Sequence, residues 1–174
     1  MQQVFITAER LKSLKKGKAN IELLERICKC KIKLDPEGGI SIEADNGYSE
    51  FVAKTILQAY GRGFEMKTAE LLDHDDYYFS TIDIGNMYNE NRTKQIKARI
   101  IGEKGKTKTY IERVSGAHLS IYGDTISFIG TASQIEEAKT AIIVLLEGGT
   151  HKLAYARMEA AHRKNKTSRH NATF

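Results

Sequence analysis

The stretch Arg99-Ile100-Ile101-Gly102-Glu103-Lys104-Gly105-Lys106-Thr107 constrains this chain more than any other. A β-branched run enters it, two glycines separated by two residues turn it, and an amphipathic pattern leaves it. Glycine tolerates positive φ and lets another backbone come close. Lys104 and Lys106 place positive charge on the turn. The helix expected to open near Thr107 presents first-turn N–H groups that lack an intrahelical acceptor. Such a loop suits phosphates. A nucleotide P-loop also ends in Gly-Lys-Thr, but it needs four residues between its glycines, and only Glu103 and Lys104 stand between these.

The surroundings narrow the choice. Tyr110, Ile111 and Val114 fall at helical spacing, and Gly116 sits at a helix C′ position. His118 to Tyr122 alternates, with Leu119 and Ile121 on one face, and Gly123-Asp124 is a two-residue hairpin signal before a second run through Ile126 and Phe128. Ser133 with Glu136 forms a capping-box pattern for a helix whose stripe is Ile135, Ala138, Ile142 and Leu145, ending at Gly148-Gly149. With a strand expected at 95–101 and a first helix of only about a turn, the order is β-α-α-β-β-α with G-x-x-G between the helices. That is the setting in which a KH domain clamps about four single-stranded nucleotides.

Charge supports a polyanion partner. The chain has 174 residues and a net charge of +5, and residues 151–174 hold six Lys/Arg against one Asp/Glu. Within 92–113, eight basic residues face two acidic ones, the electrostatic footprint of nucleic acid. No apolar run approaches the roughly 20 residues of a membrane span, and no signal-peptide pattern opens the chain, so a cytoplasmic protein without membrane partners is expected. Cys28 and Cys30 lack the second pair of a zinc site. Cys30 shares strand parity with Ile32 and Leu34, so these cysteines read as buried small hydrophobes and no metal or cofactor is expected.

The N-terminal third reads as a worn copy of the same element. Val4-Phe5-Ile6 is a strand, Ala8–Leu14 a helix, Lys15-Lys16-Gly17-Lys18 a basic turn and Ala19–Cys28 a second helix. Cys30–Leu34 alternates, Asp35-Pro36-Glu37-Gly38-Gly39 turns the chain, Ile40 and Ile42 mark the returning strand, and a last helix through Phe51, Val52 and Ile56 stops at Gly61 and Gly63. Leu24-Glu25-Arg26 matches Ile111-Glu112-Arg113 at an offset of 87, and Ala53-Lys54-Thr55 matches Ala138-Lys139-Thr140 at 85, so duplication is expected. Only the second copy keeps both glycines. The expected domains are 1–66 (degenerate copy), 67–94 (acidic linker), 95–150 (competent copy) and 151–174 (a helix to about 164, then a mobile basic tail). Asp73-His74-Asp75-Asp76 lacks EF-hand spacing and reads as a solvated acidic linker rather than a metal site.

These motifs resemble the tandem-KH ribosome-assembly proteins of the Krr / partner-of-Nob type in their short archaeal form. The residues that carry the likeness are Arg99 to Thr107, Ile111-Glu112-Arg113, Ser115-Gly116-Ala117, Ser120 to Gly123, and Ala138 to Ile142. The resemblance implies an α+β fold of two type I KH domains, each a three-stranded antiparallel sheet packed on helices. It also implies binding to the 3′ region of small-subunit (16S-type) ribosomal RNA during pre-rRNA processing and 30S assembly, beside a PIN-type endonuclease and other assembly factors. Glu103 departs from the family by placing a negative charge in the loop. The RNA-binding residues expected are Arg99, Ile101, Gly102, Glu103, Lys104, Gly105, Lys106, Thr107, Lys108, Ser120 and Tyr122, with Ile111 and Leu119 as further lining of an apolar floor. Auxiliary cations are Lys15, Lys16, Lys18, Arg163, Lys164, Lys166 and Arg169. No catalytic residue is expected. The rival readings are a KH-fold protein-interaction scaffold, a generic single-strand binder acting in translation, and a metal-dependent nuclease using the acidic run.

Overall fold

The computed structural model describes residues 2–35 and 39–171, without the side chains of residues 2 and 169–171. The chain divides into two compact units, residues 1–79 and 80–174. In the first, β1 (Gln2–Phe5), α1 (Ala8–Lys16), α2 (Lys18–Cys28), β2 (Cys30–Leu34), β3 (Gly39–Ala44) and α3 (Gly47–Gly61) follow the expected order, with a short α4 (Met66–Ala69) after them. Strand β3 is central in a sheet ordered β1-β3-β2, where Val4 and Leu34 both face Ile40 and Ile32 faces Ile42. Leu14, Leu24, Val52, Ile56 and Leu57 are buried with Ile40 and Ile42. Both cysteines are buried thiols, and burial pushes Cys28 up to about 12, so they serve as apolar packing. The turn expected at 35–39 falls largely on residues 36–38, outside the described residues.

In the second unit the sheet is ordered β4-β6-β5, from β4 (Tyr78–Asp83), β5 (His118–Tyr122) and β6 (Thr125–Gly130). The helices are α5 (Glu90–Ile101), α6 (Lys106–Ser115), α7 (Ala132–Leu146) and α8 (His151–Asn171). Ile96, Ile100, Ile111, Leu119, Ile126, Phe128, Ile142 and Leu145 form its core, joined by Ala154 and Met158 of α8. Tyr122 faces Thr125 across the Gly123-Asp124 turn, as the hairpin signal predicts.

Four expectations are corrected. The strand at 95–101 is the second half of a twelve-residue helix. Thr93, Ile96 and Ile100 are buried at spacings of three and four, and Asn89 caps the helix by accepting from Arg92 N–H, so core burial overrides the β-propensity of Ile100-Ile101. The strand that opens this unit is β4, inside the presumed linker 67–94, which also holds most of α4 and a 3₁₀ turn. Helix α7 begins at Ala132 rather than after Ser133, because Gln134 Oε1 accepts from Thr131 N–H at 2.9 Å and completes a capping box two residues earlier than read. Finally, α8 continues to Asn171 rather than fraying near 164. Glu137 is buried on α7 and accepts from Asn165 Nδ2 at 2.8 Å, with His162 Nδ1 also at 2.8 Å.

The repeat has a structural meaning. Glu25 Oε1 accepts from Ile32 N–H at 2.8 Å, and Glu112 Oε1 accepts from Leu119 N–H at 2.7 Å. Donor and acceptor shift together by 87 residues, so each copy uses its Leu/Ile-Glu-Arg glutamate to satisfy an N–H on the edge strand beside it. A part-buried N–H left without an acceptor costs roughly 1–3 kcal/mol. Glu112→Ala should therefore lower the urea-unfolding free energy by about that amount, and Glu112→Gln, which keeps an acceptor oxygen, by clearly less. Equal losses for the two variants would show that the hydrogen bond is not what the glutamate contributes.

Candidate nucleic-acid interface

The G-x-x-G loop joins α5 to α6 and turns by left-handed backbone. Gly102 has φ 73°, Lys104 φ 52° and Gly105 φ 77°. A non-glycine residue at such φ stores strain of order 1–3 kcal/mol, and strain of this kind clusters at functional sites. The two glycines are required for different reasons. A Cβ on Gly102 would lie 2.2 Å from Thr107 Oγ1 and 2.8 Å from Thr107 N, whereas one on Gly105 would meet nothing within 4 Å. Gly102 thus folds the loop tightly over the start of α6, and Gly105 leaves its outer surface open to a ligand backbone.

The basic stretch 92–113 is largely used by the fold. Lys94 pairs with Glu90, Lys97 with Asp124, and Lys108 with Glu112. Arg92 reaches Leu146 O, and Arg113 lies over the Tyr110 ring. Arg99 donates to Leu145 O and Gly149 O, so its guanidinium fastens the end of α7 instead of facing a ligand. Lys104 and Lys106 are exposed and have no ion-pair partner among the described residues. Exposed Glu103 sits between Gly102 and Lys104. The eight-residue basic patch reduces to two lysines on the loop itself.

The other expected residues separate. Ile101 is 38% exposed beside the loop, while Ile111 and Leu119 are core and form no floor. Thr107 is buried, with its Oγ1 accepting from Tyr155 OH at 3.1 Å, so its side chain supports the loop rather than touching a ligand. Ser120 and Tyr122 are half-buried on edge strand β5. They alternate with Leu119 and Ile121, which pack into the core, so their side chains stand on the sheet face away from the helices. Lys15, Lys16 and Lys18 are exposed in the first unit around Gly17, where α1 meets α2 with φ −92° and no two-glycine loop. Arg163, Lys164 and Lys166 are exposed on α8, and the Arg169 side chain lies outside those described. Among the described residues no group of His, Cys, Asp and Glu could hold a metal ion, the acidic run at 73–76 included, and no helix is long and apolar enough to cross a membrane.

Sequence reasoning did not find the side chains of α8 that reach the loop's surroundings. His151 Nε2 lies 2.9 Å from Arg99 O, the Tyr155 and Tyr110 ring centroids are 4.4 Å apart, and Tyr110 OH donates to Glu159, which pushes that phenol's pKa up. The only local sign of them is the four-residue spacing of His151 and Tyr155.

Several known proteins share this architecture. The family model for the second KH domain of PNO1, a eukaryotic-type KH domain (KH-domain type I), matches residues 78–163, from the start of β4 to well inside α8. The KH domain-containing protein MJ0443 of Methanocaldococcus jannaschii is 31% identical over 94% of this chain and 75% of its own length. The pre-rRNA-processing protein pno1 of Schizosaccharomyces pombe is 31% identical over 61% of this chain, which spans 45% of that protein. A chain in the crystal structure of the a/eIF2α–aDim2p–rRNA complex from Pyrococcus horikoshii superposes with a TM-score of 0.85 and 34% identity, covering 94% of both chains.

The asymmetry of the two glycines is testable by thermal unfolding of the full chain. Gly102→Ala combines steric overlap with positive φ and should cost about 2–3 kcal/mol, against about 1 kcal/mol for Gly105→Ala, which meets the backbone penalty alone. A larger loss at Gly105 would contradict this loop geometry.

Proposed function

This chain belongs to the PNO1-type family of KH-domain proteins, and we propose that it binds single-stranded RNA through the Gly102–Gly105 loop. Its target is the 3′ region of small-subunit (16S-type) ribosomal RNA, held during pre-rRNA processing and 30S assembly. The observation that carries this is the pairing of an open, left-handed loop with Lys104 and Lys106, the two cations of the stretch that the fold leaves without partners. The names of the relatives supply the direction: one is a pre-rRNA-processing protein, and one crystallised complex contains rRNA.

The mechanism follows from the geometry. Gly105 lets a sugar-phosphate backbone come against the loop, Lys104 and Lys106 neutralise phosphates, and exposed Ile101 offers an apolar contact to a base. Each phosphate released on losing a lysine lowers the salt dependence of binding by about 0.7 in the log–log slope. Arg163, Lys164 and Lys166 add affinity without sequence preference. The protein is a cytoplasmic RNA-binding factor and not an enzyme, of tandem-KH construction, and it works with a PIN-type endonuclease and other 30S assembly factors. The first unit, whose helices meet at a single glycine, contributes surface without a clamp.

The test compares the native 3′ rRNA segment with shuffled RNA of equal length. The full chain should prefer the native segment by about tenfold, or ~1.4 kcal/mol. Gly105→Asp, which adds a negative charge on the open side, should abolish binding with an unchanged circular dichroism spectrum. Equal binding of the two RNAs would leave a generic single-strand binder, and tight binding by Gly105→Asp would remove the loop from the site.

A further inference from the structure

Helix α8 follows the complete β-α-α-β-β-α unit, and its outer half carries the cations already assigned. Its first two turns make contacts of another kind. His151 Nε2–H donates to the carbonyl of Arg99, three residues before Gly102. Near the end of a helix this carbonyl has no i+4 N–H to accept from within the helix, so the imidazole supplies a donor to the last turn of α5, just before the loop. One turn further, Tyr155 OH donates to Thr107 Oγ1, and Thr107 occupies the space into which a Gly102 side chain would project. Tyr155 is itself set by the Tyr110 ring, and α8 is anchored in the core by Ala154 and Met158.

We propose that His151 and Tyr155 are positioning residues for RNA: together they hold both ends of the G-x-x-G loop and fix the left-handed conformation that meets the phosphate backbone. The proposal rests on the RNA-binding reading above and deepens it. The functional unit then extends from β4 through the first half of α8, and residues 78–150 alone form an incomplete site. The physical reason is pre-organisation. A loop that holds the non-glycine Lys104 at φ 52° has alternatives of lower strain, and binding weakens by the fraction of time it spends in them. A hydroxyl and an imidazole on a core-anchored helix remove those alternatives before RNA arrives.

The experiment uses the full chain in two measurements. Amide resonances and hydrogen exchange at Gly102, Lys104 and Gly105 are followed in the free protein, and affinity is measured for a single-stranded RNA of the 3′ segment. Tyr155→Phe keeps the ring and loses only the hydroxyl, His151→Ala loses the donor, and His151→Gln restores one. Asn165→Ala, which breaks an α8–α7 hydrogen bond through Glu137, serves as the stability control. Tyr155→Phe and His151→Ala should shift the loop amides, speed their exchange and weaken RNA binding by about fivefold each. His151→Gln should recover most of that, and Asn165→Ala should lower Tm without affecting the loop or the affinity. Unchanged loop amides in Tyr155→Phe and His151→Ala overturn the proposal, as does an equal affinity loss in Asn165→Ala, which would make α8 a general stabiliser. Failure of the wild-type chain to bind RNA would overturn the functional reading instead, and the free-protein measurement would still decide whether α8 sets the loop.

Discussion

An arginine on the first helix of each unit ties that helix to the end of the last one. Arg99 donates to Leu145 O and Gly149 O, and Arg10 donates to Tyr60 O and Phe64 O. The acceptors in the two units differ by the same 85 residues that separate the matching segments of the last helices. Carbonyls at a helix C-terminus lack the i+4 N–H partner of the helix interior, and the macrodipole there favours a cation. A guanidinium can reach two of them at once in a fixed fork. Without this tie the first helix would lose a two-point polar anchor, and in the second unit the loop that follows would start from a less firmly held helix. Structure therefore takes the arginine that stands closest to the paired glycines.

The same economy governs the remaining charge. A row of basic residues along a sequence looks like a nucleic-acid surface, but each one must first be checked for a structural partner. Lys97 ties α5 to the β-hairpin through Gly123 O and Asp124, and Lys108 pairs along α6 with the glutamate that satisfies the edge strand. What remains at the loop is small and local. Lys104 and Lys106 flank the glycine whose outer side is open, so the positive charge and the open backbone coincide. Exposed Glu103 offsets part of that charge.

Much of this was legible in the sequence because it rests on local signals. The Gly123-Asp124 hairpin, the C′ glycine at Gly116, the alternation of Cys30–Leu34 and the repeated Glu25 and Glu112 all appear where turn chemistry, periodicity or self-similarity places them. The failures share one cause. Ile100-Ile101 carries strand propensity, yet Ile96 and Ile100 belong to a helical face that only the core reveals. Tyr78–Asp83 follows an acidic run and looks like linker until it is seen paired in the sheet. The tail beyond 164 has little to bury, but a buried glutamate 28 residues earlier holds Asn165. Among the candidate site residues, the glycines and loop lysines could be read directly. The roles of Arg99 and Thr107 could not, since each depends on a partner 46 or more residues away.

The two units also separate what the fold requires from what the site requires. Both keep the arginine tie and the glutamate beneath the edge strand, so both hold three helices against a three-stranded sheet. They differ where the first two helices meet. In the first unit Gly17 has negative φ, and a Cβ there would meet mainly the end of the flexible Asn20 side chain; that junction joins α1 to α2 through a single residue and needs no glycine pair. In the second, Gly102 and Gly105 take positive φ without a side-chain penalty, and Lys104 alone carries the strain of a non-glycine residue there. The first unit joins its first two helices without such a residue, so the strain at Lys104 is not a demand of the fold. For the RNA clamp proposed above, a groove for about four nucleotides with roughly 1–3 kcal/mol of discrimination per base is too small to select one site among a cell's RNAs by itself. The proposed clamp therefore calls for further surface, and the first unit, which keeps the fold without the strained loop, is suited to supply it.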